Sequence, residues 1–209
     1  MTLRMNGATS GYTEIDAPAV AGSNTLTLPG GNGSADQALV TNGSGTLSFA
    51  DRGRMVLETA KSATGTFVDF TSIPSWVKRV TVMMNGVSTN GTSSYLVQIG
   101  SGSFTTSGYL SNHNYVNNSA NSCTGTSSTQ GFLVANDVGA ATVYGGICTL
   151  ATLGSNAWAA SGTMNRGSGS GGFFAGTVTL SGTLDRVRIT TVNGTDTFDA
   201  GTINLLLEG

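Results

Sequence analysis

Asp196 and Asp199, three apart in "DTFDAG", with Asp185 upstream, are the first residues whose types could do chemistry. A carboxylate pair is the machinery of glycoside cleavage, one group giving a proton while the other attacks or stabilises the sugar carbon. The same residues could line a calcium loop, but the every-second-position oxygens and closing glutamate of an EF-hand are absent. Asp beside Gly and Thr, just before an apolar run, is instead the pattern of a turn whose carboxylate accepts backbone N–H groups, and the turn is the expected role.

His113 is the only histidine in the chain. A general base needs a proton donor within hydrogen-bond reach, and no motif ties His113 to a Ser, Cys or Asp. It lies in the polar "SNHNYVNNSANS" and reads as an exposed loop residue. "RGSGSGGFF" (166–174) has the glycines of a phosphate-cradling loop, but such a loop must open a helix; "FFAGTVTL" follows, so a hairpin connection is expected. Cys123 and Cys148 lack metal-ligand spacing. The first ten residues contain no apolar core of a secretory leader, so both thiols are expected reduced, with Cys148 in "VYGGICTL" the more buried. No cofactor, metal or catalytic centre is expected.

One stretch has the mixture of a recognition surface. "YLSNHNYVNNSAN" (109–121) combines tyrosines, flat and amphipathic, with asparagines that both donate and accept. That mixture serves antibody paratopes and suits sugar rings for the same reasons. It falls in the only long polar insertion between strong strand signals, about 103–130, and binding residues favour loops on a rigid scaffold. Tyr109, Asn112, His113, Asn114 and Tyr115 are therefore the expected receptor-binding residues, on an exposed surface.

The elements that must position them are strands. Charged residues are 10% of the 209, Lys61 and Lys78 are the only lysines, and Gly is 31 residues, about twice its ordinary share. The wet face of a long helix needs charge; here the polar residues are Thr, Ser, Asn and Gly, which suit strands and turns. Alternating runs appear from residue 53 onward: 54–61, 65–73, 77–88, 94–102, 131–136, 141–153, 157–165, 172–182, 185–194 and 200–209. Asn-Gly, the strongest short hairpin signal, occurs at 6, 32, 42, 85, 90 and 193. "IPSW" (73–76) reads as a single turn. The pattern predicts an all-β chain: an antiparallel β-sandwich over 53–209, jelly-roll-like, preceded by a short extended β module over 1–52. Net charge is −2 with no basic patch, and no apolar run approaches a membrane span, so nucleic acid and membrane insertion are not expected.

Residues 1–52 raise a separate question. Their apolar residues are few and isolated, among them Leu26, Leu28, Leu47 and Phe49. At roughly 1.5 kcal/mol of ordering cost per residue such a segment cannot hold itself folded. Copies of itself could supply the missing surface, which predicts a homotrimer with the module in interchain contact.

"GYTEIDAPAVAGSNTLTLPGGNGSADQALVTNGSGTLSF" (11–49) closely resembles a module of tail-fibre and other virion structural proteins of tailed bacteriophages, notably those of cyanobacteria and marine bacteria. The matching features are "AP" at 17–18, "AGSNTLTLP" at 21–29, "GNG" at 31–33 and "TNGSGTLSF" at 41–49. "SIPSWVKRVTVMMNGVSTNG" (72–91) and "LDRVRITTVNGTDTFDAGTINLLLEG" (184–209) resemble a C-terminal domain of phage and prophage tail proteins. Residues 104–183 carry no such motif. The resemblance implies a virion location and a short tail fibre or fibre tip. The N-terminal module would bind other virion proteins, and the C-terminal domain a host-surface polysaccharide or outer-membrane receptor. A capsid decoration protein or head fibre is the first alternative, separable by copy number per virion. A polysaccharide-degrading enzyme is the second, separable by turnover.

Overall fold

The computed structural model describes all residues except 1, 2, 21, 36, 52, 118–121, 137 and 168. The chain divides into two compact units, Met1–Arg52 and Gly53–Gly209. The described residues are all-β, with no helix.

Among its described residues the first unit contains two small hairpins. β1 (Leu3–Asn6) pairs antiparallel with β2 (Tyr12–Ile15). Arg4 lies 4.0 Å over the Tyr12 ring and 3.5 Å from Glu14. β3 (Gln37–Thr41) pairs antiparallel with β4 (Leu47–Asp51). Asn42 builds the turn between them, its Oδ1 accepting the N–H groups of Ser44 and Thr46. Thr27 adds a parallel bridge to Thr46. None of the unit's described residues is buried. Leu28 is 72% exposed and Val20 93%.

Among the described residues the second unit holds fourteen strands: β5 (Met55–Leu57), β6 (Lys61–Ser62), β7 (Phe67–Thr71), β8 (Arg79–Thr89), β9 (Tyr95–Ser101), β10 (Ser103–Phe104), β11 (Leu110–Asn117), β12 (Ser122–Ser128), β13 (Phe132–Ala135), β14 (Tyr144–Gly154), β15 (Ala157–Arg166), β16 (Ser170–Thr179), β17 (Arg186–Thr191) and β18 (Phe198–Glu208). All their pairings are antiparallel. A nine-stranded sheet runs β12-β11-β16-β15-β14-β8-β18, with β5 and β6 sharing the remaining edge of β18. A five-stranded sheet runs β7-β17-β9, with β13 and β10 sharing the other edge of β9.

Strand geometry sends alternate side chains to opposite faces. In β8, Val80, Val82 and Met84 point to the core while Arg79, Thr81 and Met83 point away. Their partners Leu207, Leu205 and Ile203 on β18 are fully buried. These residues, with Cys148 and Leu150 of β14, meet Val97, Ile99, Val187, Ile189 and Phe70 of the five-stranded sheet in one hydrophobic cluster. Tyr95 packs edge-on against Tyr144 and Phe198, with centroids 5.2 and 5.5 Å apart.

Two sequence expectations are corrected here. Residues 103–130 are not one exposed loop: they contain β10 and the β11–β12 hairpin. β11 alternates, but its inward residues are Ser111, His113 and Tyr115 rather than aliphatics, which hides the period. β12, "SCTGTSS", turns almost everything to solvent and is held by its pairing with β11. The Asn85-Gly86 pair is not a turn either. It is an irregularity within β8, with Gly86 at φ 68° opposite Gly201 at φ 92°, where the β8–β18 register shifts. A Cβ on Gly201 would overlap the Gly86 carbonyl, so the close approach requires glycine. By contrast, Gly167 and Gly169 do lie in the β15–β16 hairpin connection.

Candidate functional site

β11 divides the expected receptor-binding residues between two faces. Tyr109, just before the strand, is fully buried, and His113 and Tyr115 are 2% and 5% exposed. Only Asn112, exposed, and Asn114, half-buried, face outward. The expectation that all five lie on an exposed surface is corrected: a strand buries alternate residues, and both tyrosine hydroxyls have partners inside. Tyr109 Oη accepts the Ile99 N–H at 2.9 Å and donates toward the carbonyls of Thr105 and Ile99, at 3.1 and 3.2 Å. Tyr115 Oη accepts from Nη1 of Arg166 at 2.8 Å. Asn118 and Asn121 lie outside the described residues.

The His113 ring stacks on Phe174, with centroids 6.3 Å apart and planes 13° from parallel. Its Nδ1 is buried without a hydrogen-bond partner. Burial lowers its pKa to about 4, because enclosure disfavours the charged imidazolium. His113 is therefore a neutral residue packed inside the sheet, not a loop histidine poised to move protons.

Each of the three aspartates has a structural partner. Asp196 accepts from Asn193 Nδ2 at 2.7 Å and the Ser93 N–H at 2.8 Å, and these bonds hold its carboxyl below the usual range. Asp199 accepts the Ser88 hydroxyl. Asp185 accepts from Nε of Arg186 at 2.7 Å and the Gly102 N–H at 3.0 Å. Among the described residues no group of three or more His, Cys, Asp or Glu could hold a metal ion. Both cysteines are free, Cys123 exposed and Cys148 buried.

The outward residues of β11 belong to a wider surface, the outer face of the nine-stranded sheet. Ladder register places Asn114, Phe173, Thr163, Ile147, Met83 and Asn204 in one row across six strands. Phe173 is 51% exposed. At the strand ends beside this row, Gly145, Gly146 and Gly167 leave a hollow of about 560 Å³ walled by Asn85, Thr163 and Asn165. A second hollow of about 440 Å³ shares Thr163 and Asn165 and is edged by Val116 and Phe173. Among the described residues no carboxylate, imidazole or thiol lines either hollow. Amide and hydroxyl walls over a glycine floor, with one exposed aromatic ring at the rim, can hold an uncharged, hydroxyl-rich ligand by hydrogen bonds and stacking.

Sequence reasoning did not find Phe173, Asn165 or Asn85. For Phe173 a signal existed: in "GFFAGTVTL" the two phenylalanines are adjacent, so a strand must turn one outward. Phe174 is the buried one. No family model, curated protein or solved structure matches the chain.

Proposed function

We propose that the chain is a structural protein of a tailed-bacteriophage virion: a short tail fibre or fibre tip, homotrimeric, whose second unit is a jelly-roll-like sandwich that meets the host surface. The observation that carries the reading is the first unit. Leu3, Met5, Tyr12, Ile15, Leu26, Leu28 and Leu39 are all exposed, and no described residue of the unit is buried. Paired strands with apolar side chains in water are unfavourable alone, because each uncovered aliphatic side chain forgoes about 1.5–3 kcal/mol of burial. Identical chains around a common axis cover those stripes without any further protein. The resemblance of 11–49, 72–91 and 184–209 to segments of phage tail proteins supports that reading.

Function in this reading is multivalent attachment. The first unit binds other virion proteins. The second presents its outer surface three times over to a host polysaccharide or outer-membrane receptor, so weak sites act together by avidity. The chain binds without turnover. Sedimentation equilibrium on the full chain tests the assembly, with an expected mass three times the 21.1 kDa of the monomer. Antibody labelling of purified virions tests the location, with label expected at the tail. A monomer with ordered residues 1–52, or particles without label, overturns the proposal.

A further inference from the structure

The two outer faces of the second unit differ in kind. That of the five-stranded sheet is charged. Arg188 holds Asp69 through two 2.7 Å bonds and lies 4.1 Å over both Phe67 and Phe104, and Arg186 pairs with Asp185. This is an ordinary solvated surface. On the nine-stranded sheet the row through Ile147 and Met83 carries no charge. Neither does the next row, where Asn112, Ala175, Ser161, Thr149, Thr81, Leu206 and Leu57 stand side by side. The row beyond holds a single pair, Arg79 with Glu208, which neutralise each other through two hydrogen bonds.

We propose that this outer face, centred on Ile147, Met83 and Leu206, is where copies of the chain pack against one another. The inference rests on the homotrimeric reading and names its surface. Two features select a second copy as the occupant. Where the same face of three copies turns toward a common threefold axis, each meets the charges of the other two, and this one has no net charge to repel its copies. Its small Thr, Ser and Ala side chains also let two sheets approach closely. The area is sufficient: six strands about 4.8 Å apart, each contributing about seven residues at about 3.3 Å, together with the three residues of β5, span roughly 700 Å². A standard stable interface takes about that much from each partner. The glycine-floored hollows adjoin this face: Thr163 and Phe173, in the row of Ile147 and Met83, line them, and they extend from that row toward Gly145, Gly146 and Gly167 at the strand ends.

The test is hydroxyl-radical labelling of the full chain across its association range, with mass measured in parallel. Met83 is the reporter and Phe67, on the other sheet, the control. At concentrations where the chain is trimeric, Met83 labelling should fall at least fivefold relative to the dissociated chain, while Phe67 labelling is unchanged. Ile147→Lys combined with Leu206→Lys should weaken association at least tenfold. Thr149→Arg, at a half-buried position on the outward side of β14, should do the same with a cooperative unfolding transition retained. If the chain is monomeric throughout, the trimeric reading and this inference fail together. If it is trimeric with Met83 labelled as freely as when dissociated, or if the variants stay trimeric and lose only adsorption to cells, the trimer stands and this inference fails.

Discussion

The hydroxyl of Tyr109 accepts the backbone N–H of Ile99 at 2.9 Å, at the point where the edge of β9 passes from one partner to the next. β13 pairs with Tyr95–Val97 and β10 with Gly100 and Ser101; between them the side chain of Tyr109 completes the ladder. Tyr109→Phe leaves a buried N–H unpaired and is expected to cost about 1–3 kcal/mol. Tyr109→Ala also opens a cavity beside Phe132, whose ring centroid is 4.9 Å away, and should cost about 3–5 kcal/mol. Urea unfolding of the three proteins checks the order, and a Phe variant as stable as the parent contradicts it.

Stability should fall on mild acidification because of His113. Its folded pKa of about 4 lies below the ordinary 6.5, so the unfolded chain binds the extra proton first. The contribution is complete above about pH 6.5 and fades as pH falls toward 4, a loss of about 3 kcal/mol. The carboxyls held low, Asp185, Asp196 and Glu208, lose their contributions only as pH drops through the acid range below that window. His113→Phe removes the slope between pH 6.5 and 4.5. It also removes the unpartnered Nδ1, so at pH 7 the variant should be at least as stable as the parent. Thermal melts across this pH range decide, and an unchanged slope in the variant contradicts the assignment.

Gly172 sits under that histidine. A Cβ there would overlap the His113 ring and lie 2.7 Å from the carbonyl oxygen of Asn114. Gly172→Ala should destabilise by about 1–3 kcal/mol, and hydrogen exchange should show the loosening in β11 and β16 first. At Gly145 an added Cβ meets nothing closer than 3.4 Å, so Gly145→Ala should be near neutral. Equal effects at the two positions would contradict the packing described.

The thiols should differ in reactivity. Cys148 is fully buried, and burial pushes its thiol pKa upward, which removes the reactive thiolate. Cys123 is exposed on β12. Ellman's reagent should titrate one thiol per native chain and two after denaturation. A second fast thiol, or fewer than two in total, contradicts this.

The strands at 77–88, 141–153, 157–165 and 200–209 were legible because apolar residues, interrupted only by glycine, mark the buried face at alternate positions. The Asp196 turn was legible because Asn, Gly, Thr and Asp build turns through their own side chains. β11 and β12 were not. Ser111 is buried because its hydroxyl accepts the Leu133 N–H at 2.9 Å, and Tyr115 because Arg166 meets its hydroxyl. Those partners lie 22 and 51 residues away in sequence, so a local window reads both residues as polar surface. The candidate site was read only in part for the same reason. Asn112 and Asn114 do face outward, but which residues join them depends on ladder register across six strands, and register is a long-range property.

The β11–β12 hairpin distributes its constraints unevenly. β11 is fixed by three inward side chains, whereas β12 is held almost wholly by main-chain bonds, with Ser122–Ser127 exposed. A strand whose side chains bear no packing can change its sequence without unfolding its host. Those six positions form a ribbon of replaceable residues on a rigid backing, beside the outward-facing side chains of Asn112 and Asn114. A randomised library over Ser122–Ser127 would be retained in folded protein far more completely than one over the neighbouring Ser111–Tyr115, and new specificities could arise there one residue at a time.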